Sequence, residues 1–275
     1  MNFRGMLHCV GLTDKGMVRS NNEDAFITDI DLGLAVVADG MGGYKAGEIA
    51  SGIAVNTIQE VIVAGLKEAR KQIGVSDSGY SHESVLLRNA VMRANEIIHD
   101  TAKSQPQYEG MGTTAVACLF YDNRVSIAHV GDSRAYRLRK GAFEQVTVDH
   151  SLMQELVSRG FYTPEEARRS NNRNLVTRAL GIEPTVQVDI QEDVVLLNDT
   201  YLLCTDGLHD LVEDPDIHLT LKTFSVNLEV AARQLVKLAN DNGGRDNVTV
   251  VLVKPIKSLE NQKKGFFVRF TDWFS

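Results

Sequence analysis

Carboxylates recur in this sequence where apolar runs end. "NNEDAF" carries Glu23 and Asp24, "VADGMGG" Asp39, "HVGDSRA" Asp132 and "CTDGLHDL" Asp206 and Asp210, while "GGRDNVTV" sets Asp246 just ahead of the last apolar run. An acid beside glycine at a strand end stands where side chains converge and where backbone can approach a ligand closely. Any one of these pairs alone reads as an ordinary turn. Five together do not, because carboxylates gathered without neutralisation repel one another and lose hydration. Such a cluster calls for cations. No His or Cys cluster accompanies it, so the ligand set is hard oxygen, which suits Mg²⁺ or Mn²⁺ and not zinc. Two such ions about 3.5–4 Å apart, sharing a carboxylate, are a device for in-line attack at phosphorus.

The elements that must position these acids are mostly strands. Strand-like runs are "LHCVGLT", "EDAFITDI" and "LGLAVVAD", then "GTTAVACLFY", "RVSIAHVG", "RAYRLRKG", "FEQVT", "TYLLCTDG" and "NVTVVLVK". Two long helical patterns separate the first three from the rest. One has Ile49, Ile53, Ile58, Val61 and Ile62 on its apolar face, the other Val85, Leu86, Ala90, Ala94 and Ile97. A third, "LEVAARQLVKLANDNG", stops at Gly243-Gly244. Runs of strands with helices segregated from them predict an α+β layered domain, and no internal repeat is present. Residues 1–255 read as one catalytic domain. Within it, residues 151–181 form a polar insert with Arg159, Arg168, Arg169, Arg173 and Arg178, expected to be a flap. Residues 256–275 form a tail in which Phe266, Phe267, Phe270, Trp273 and Phe274 share one helical face behind Lys263 and Lys264. That face predicts docking onto the chain's own domain, or else a protein partner or an anionic membrane surface.

Composition narrows the function classes. With 275 residues and 43% hydrophobic content the chain can bury a substantial core. Its 29 basic and 36 acidic residues, net charge -7, give no bulk attraction to nucleic acid. Cys9, Cys118 and Cys204 are far apart, which predicts reduced thiols, and no run is read as long enough to span a bilayer. A cytoplasmic location and a monomer are expected.

Taken in order, "VRSNNEDAF", "VVADGMGGYKAGEIAS", "GMGTTAVACLF", "AHVGDSRAYRLRKG", "VTVDHSL", "LLCTDGLHDLV" and "GGRDNVTVVLV" resemble the successive motifs of the metal-dependent protein phosphatases of the 2C type, bacterial serine/threonine branch. The resemblance runs from Gly11 to Val253. It implies a four-layer α-β-β-α sandwich with two central antiparallel sheets and a binuclear Mn²⁺ or Mg²⁺ centre at one edge, two ions per chain. By this resemblance Asp39 bridges the ions and the Gly40 carbonyl ligates one. Asp206 and Asp246 complete the first ion's protein ligands, and Glu23 holds water on the second. Asp24 and Asn247 stand behind the ligands as their partners. Asp132 matches an acid that with Asp206 can hold a third, weaker ion, though a turn role capped by Ser133 fits it nearly as well. Arg19 matches the phosphate-binding arginine, whose planar guanidinium can hold two phosphoryl oxygens at once. Gly42 and Gly43 are expected to turn the chain into the helix that follows.

The sequence departs from the pattern at Met41, where many eukaryotic relatives carry a histidine proposed to protonate the leaving alkoxide. Water is then left as the acid, or another group such as His150, which reads more readily as a structural residue. His129 and His209 read as packed or surface residues. The resemblance implies hydrolysis of phosphoserine and phosphothreonine in proteins, opposing a cognate serine/threonine kinase, with no phosphoenzyme. An inactive phosphoprotein-binding scaffold is the alternative; Asp39, Asp206 and Asp246 being intact speaks against it. Phosphodiester hydrolysis is disfavoured by the acidic balance.

Overall fold

Strands that are apolar at every position need cover on both faces, and the layers supply it. The computed structural model of the chain describes residues 3–42, 46–72, 74–170, 172 and 175–260. The tail face from Phe266 to Phe274 and Gly43 lie outside them. One antiparallel sheet has the order β1 (Leu7–Asp14), β11 (Val248–Pro255), β10 (Thr200–Cys204), β7 (Arg134–Arg139), β8 (Ala142–Gln145). The other runs β2 (Asp24–Asp29), β3 (Leu34–Met41), β5 (Ala115–Tyr121), β6 (Arg124–Val130), β9 (Asp189–Val194), with the short β4 (Gly112–Thr113) also on β3.

Side chains alternate across each strand, so one strand feeds two cores. On β3, Val36 and Ala38 pack against helices α1 (Ala46–Ala69) and α2 (His82–Ser104), while Ala35 and Val37 meet Tyr201, Leu203, Val251 and Val253 of the facing sheet. On the far side Leu202, Cys204, Val250 and Leu252 pack against α6 (Asp214–Thr223) and α7 (Leu228–Asp241). The result is the expected α-β-β-α order. Remaining helices are short: α3 (Leu152–Ser158), α4 (Pro164–Arg169) and α5 (Asp206–His209).

Three sequence expectations need correction. β9, "DIQEDV", was not foreseen, because it is an edge strand with three acids in six residues and no fully buried residue. The buried stripe of α2 is Leu87, Ala90, Val91, Ala94 and Ile98, rotated from the predicted one, with Val85 and Ile97 outside it. Finally, α1 is long and apolar enough by length and composition to cross a bilayer. Here it is a core helix, with Ala50, Ala54, Ile58 and Ile62 fully buried on the sheet. Cys9, Cys118 and Cys204 are free thiols, as read.

The insert carries α3 and α4 between β8 and β9. Its two ends are stitched together at its base, where Leu152 N–H donates to Leu175 O (2.9 Å) and Thr177 N–H to His150 O (2.8 Å). α4 begins with a capping box in which Thr163 and Glu166 satisfy each other's main-chain donors.

Candidate metal centre

Antiparallel register sets Asp24 directly opposite Asp39. At Asp39 the main chain is fully engaged: its N–H donates to Thr114 Oγ1 (3.1 Å), and its carbonyl accepts from Thr114 N (2.9 Å) and Thr113 Oγ1 (2.7 Å). No described residue donates a hydrogen bond to its carboxylate. Gly40 follows because nothing larger fits: a Cβ there would lie 2.2 Å from Gly47 O and 2.5 Å from Glu23 O. This contact brings the start of α1, the end of β3 and Glu23 together. Ser51 Oγ, on α1, donates to Glu23 O at 2.6 Å.

From the other sheet come Asp206, the first residue of α5, and Asp246, just before β11. Their turns are pressed together at Gly207, where a Cβ would sit 1.9 Å from Asn247 O. Asn247 ties this side to the first. Its Oδ1 accepts from Glu23 N (2.7 Å), and its Nδ2 donates to Lys15 O (3.0 Å) and Asn21 O (2.8 Å). Asn247 thus grips both flanks of the loop that carries Arg19. Arg19 Nη2 donates to Asp246 Oδ2 at 2.6 Å, and Asp246 Oδ1 accepts from Asn247 N at 2.8 Å. Asp24 is held from across the sandwich, its Oδ2 accepting from Thr205 Oγ1 (2.9 Å) and Thr249 Oγ1 (2.7 Å).

Electrostatics match a site meant for cations. Burial, then the charges of Asp24, Asp206, Asp132 and Asp246, raise Asp39 well above the ordinary carboxylate range. Burial, then Asp132, Asp210, Asp246 and Asp24, do the same to Asp206. Asp24 and Asp132 are each pushed up to about 7, chiefly by burial. Glu23 is raised too, by burial, against the pull of Arg19. Asp24 Oδ1 and Asp206 Oδ1 are buried without any hydrogen-bond partner, which hydrogen-bonded proteins avoid. An all-oxygen donor set with orphaned, mutually repelling carboxylates fits hard divalent ions.

All the acids read from the sequence meet here, together with Arg19, Gly40 and Asn247. Sequence reasoning missed Gly47, Ser51, Thr113, Thr114, Thr205 and Thr249. The threonines in strands carry no mark distinguishing a ligand-orienting hydroxyl from a β-former. Asp132 lies in the bend between β6 and β7, and the Oγ of the adjacent Ser133 pairs with Thr114 Oγ1 at 2.7 Å.

Among the described residues, three ligand atoms come within 4.8 Å of one another at His129, His150 and Asp189, away from the carboxylates. This group is poorly built for an ion. The two imidazoles are stacked, 4.6 Å between centroids and 18° between planes, so their in-plane lone pairs cannot converge. His150 Nδ1 accepts from Gly131 N (3.0 Å), and its Nε2 lies between Asp189 Oδ2 at 3.3 Å and Arg178 Nη1 at 3.0 Å. His129 Nε2 meets Val148 O at 2.8 Å, and Arg178 Nη1 donates to Asp189 Oδ1 at 2.8 Å. The cluster fastens the insert's base. Burial, His129 and Arg178 lower His150 to about 4. A histidine depressed in the folded state contributes stability that is full above its unfolded value, about 6.5, and lost as pH falls towards about 4. With Mn²⁺ present throughout, His150→Gln is therefore expected to flatten the fall in denaturation midpoint between about pH 7 and about pH 5. An identical slope in both proteins would remove His150 from the account.

Comparison with known proteins agrees with this geometry. The family model described as protein phosphatase 2C matches residues 17–240. The serine/threonine phosphatase stp of Listeria monocytogenes is 36% identical over 251 residues, covering 90% of this chain and 96% of its own. The serine/threonine protein phosphatase PstP of Mycobacterium tuberculosis is 38% identical over 251 residues, 90% of this chain and 45% of its own. Among solved structures, the PstP catalytic domain in complex with two manganese ions superposes with a TM-score of 0.75 at 37% identity, covering 92% of this chain and 99% of that one. Stp1 from Staphylococcus aureus does so with 0.80 at 34% identity, covering 92% and 97%.

Proposed function

The chain belongs to the protein phosphatase 2C family, and from that premise we propose how its own residues carry the chemistry. It is a serine/threonine phosphoprotein phosphatase, a hydrolase that uses two divalent ions, Mn²⁺ or Mg²⁺. The observation that carries the site assignment is the meeting of Asp39, Asp206, Asp24 and Asp246 with two buried carboxylate oxygens left unpartnered. Asp39, the Gly40 carbonyl, Asp206, Asp246 and Glu23 would hold the two ions. Asp132 with Asp206 would hold a third, weaker one. When bound, the ions activate a water for in-line attack and offset phosphoryl charge.

The protein's own groups do the positioning. Thr205 and Thr249 fix Asp24 behind Asp39, and Asn247 fixes Glu23. Arg19 reaches the acids with one N–H on Asp246, leaving further donors of its fork for phosphoryl oxygens. Met41 has no proton to give, and His150 is engaged at the base of the insert, so water protonates the leaving alkoxide. The insert acts as a substrate-selecting flap. A cognate serine/threonine kinase as the opposing enzyme, a monomeric state and a cytoplasmic location complete the reading; the free thiols support the last.

Mn²⁺-dependent release of phosphate from a phosphothreonine peptide tests the activity directly. Arg19→Ala is expected to lower kcat/KM on that peptide by roughly ten- to a hundredfold, mostly through KM, as loss of a charged hydrogen-bonding group implies. Thermal stability should hardly move, since the ion pair with Asp246 is exposed. An unchanged kcat/KM would place Arg19 away from the phosphate.

A further inference from the structure

His150 stands where two parts of the chain meet. It is the last residue before the insert, and it also touches the insert's returning end: Thr177 N–H donates to its carbonyl at 2.8 Å, and Arg178 Nη1 lies 3.0 Å from its Nε2. Its other contacts lead to the acid cluster. Gly131, immediately before Asp132, is held by His150 at both main-chain groups: its N–H donates to His150 Nδ1 at 3.0 Å, and its carbonyl accepts from His150 N at 2.9 Å.

The bend gripped in this way has little freedom to adjust. Gly131 has φ +103°, which residues with side chains rarely adopt, and a Cβ there would lie 2.6 Å from Thr114 Cγ2. The chain is pinned again just beyond. The carbonyl of Asp132 faces His209 Nε2 at 3.1 Å, and Ser133 Oγ pairs with Thr114 Oγ1, which also accepts from Asp39 N at 3.1 Å. Asp132 itself is buried, and its charge weighs on both Asp39 and Asp206. Where its carboxylate lies therefore follows from how its main chain is held. His150 is in turn steadied on its far edge by Asp189 Oδ2 at 3.3 Å and on its face by the stacked ring of His129.

Resting on the reading of Asp132 as an ion ligand, we propose that His150 is a positioning residue: through the Gly131 amide it fixes the Asp132 carboxylate for the ion that Asp132 would hold with Asp206, and Asp189 acts through it. An imidazole suits the task because its two nitrogens face opposite ways. Nδ1 takes the Gly131 N–H, while Nε2 is held between Asp189 and Arg178 at the base of the insert. Loss of Nδ1 would leave a buried donor unmatched at the residue before the ligand. Partners that orient metal ligands in this way typically change metal affinity by about ten- to a hundredfold.

The test uses the difference between the two nitrogens. In His150→Asn the amide oxygen falls close to the place of Nδ1 and can still accept from Gly131 N, whereas in His150→Gln the amide reaches the place of Nε2 and leaves Gly131 N without an acceptor. Calorimetric titration of the full chain with Mn²⁺ resolves the binding steps, and Asp132→Asn identifies the step that Asp132 supports. His150→Gln is expected to weaken that step about tenfold with the tighter steps unchanged, and His150→Asn should keep it near the native affinity. Hydrogen exchange reads the contact without any metal: Gly131 N–H should exchange faster in His150→Gln than in the native protein or in His150→Asn. If both variants fail to fold, Asp189→Asn decides; it leaves the imidazole in place but loosens its far edge, and should weaken the same step by about two- to fivefold. Equal weakening of every step in His150→Gln, an asparagine variant as impaired as the glutamine one, or an unchanged step in His150→Gln or Asp189→Asn would each overturn the proposal. If Asp132→Asn loses no step, the ligand reading of Asp132 fails and the proposal with it, while hydrolysis of a phosphothreonine peptide by the native enzyme tests the phosphatase reading separately.

Discussion

Asp39→Asn is expected to reduce Mn²⁺-dependent hydrolysis of a phosphothreonine peptide by about a thousandfold or more, as removal of a shared ligand at a two-ion site implies. The protein should nevertheless fold. Asp39 sits among Asp24, Asp206, Asp132 and Asp246, and its carboxyl is raised far above its ordinary range by burial and by those charges. A buried acid raised in this way opposes folding at neutral pH: its contribution is lost as pH rises through the folded-state value. Asparagine is nearly the same size and carries no charge, so repulsion falls and the metal-free variant should melt at or above the wild-type temperature. The two proteins should part when Mn²⁺ is added, because an ion that binds only the folded state raises the melting temperature and the variant has lost a ligand. Calorimetry with and without Mn²⁺ reads this without reference to turnover. Retained activity with an unchanged Mn²⁺ response would remove Asp39 from the centre; a metal-free variant that melts far lower would show its charge to be stabilised by something other than cations.

Much of the architecture was legible because burial on both faces leaves an unmistakable trace. The runs around Val36, Cys118, Leu203 and Val251 are apolar at successive positions, since each strand serves one core between the sheets and another beneath helices. β9 left no such trace: it lies at a sheet edge and its residues are only part-buried. The phase of α2 was misjudged because its flanks also carry apolar residues, and only packing against the sheet selects the Leu87, Val91, Ile98 stripe. Within the site, the acids were visible as carboxylates beside glycine at the ends of apolar runs. What orients them was not. Thr205 and Thr249 reach Asp24 across 181 and 225 residues of chain, and no local pattern encodes a hydrogen bond of that span. Gly47 was hidden for a related reason: its importance lies in its contact with Gly40, set by how α1 meets β3.

Asn247 is where those two halves are joined, and its replacement should be costly in a way that separates positioning from ligation. The residue is 5% exposed. Its side chain makes three hydrogen bonds, all to main-chain atoms of the stretch from Lys15 to Glu23. Asn247→Ala removes all three and leaves Glu23 N–H without its acceptor, a loss of about 2–4 kcal/mol at roughly one per bond plus the unsatisfied donor. Because that stretch carries both Arg19 and Glu23, the consequence reaches the chemistry: apparent Mn²⁺ affinity should fall by about ten- to a hundredfold, as for partners that orient metal ligands. Asn247→Asp provides the control. It keeps an acceptor for Glu23 N–H but cannot donate to Lys15 O or Asn21 O, and it adds charge beside Asp246. If the donors matter, it should be as impaired as alanine. Arg19→Ala should raise KM with the Mn²⁺ requirement intact, whereas Asn247→Ala should raise the Mn²⁺ requirement and KM together, since it releases the whole loop. A variant at 247 that loses stability but keeps its Mn²⁺ response would reduce Asn247 to a structural tie with no part in holding the centre.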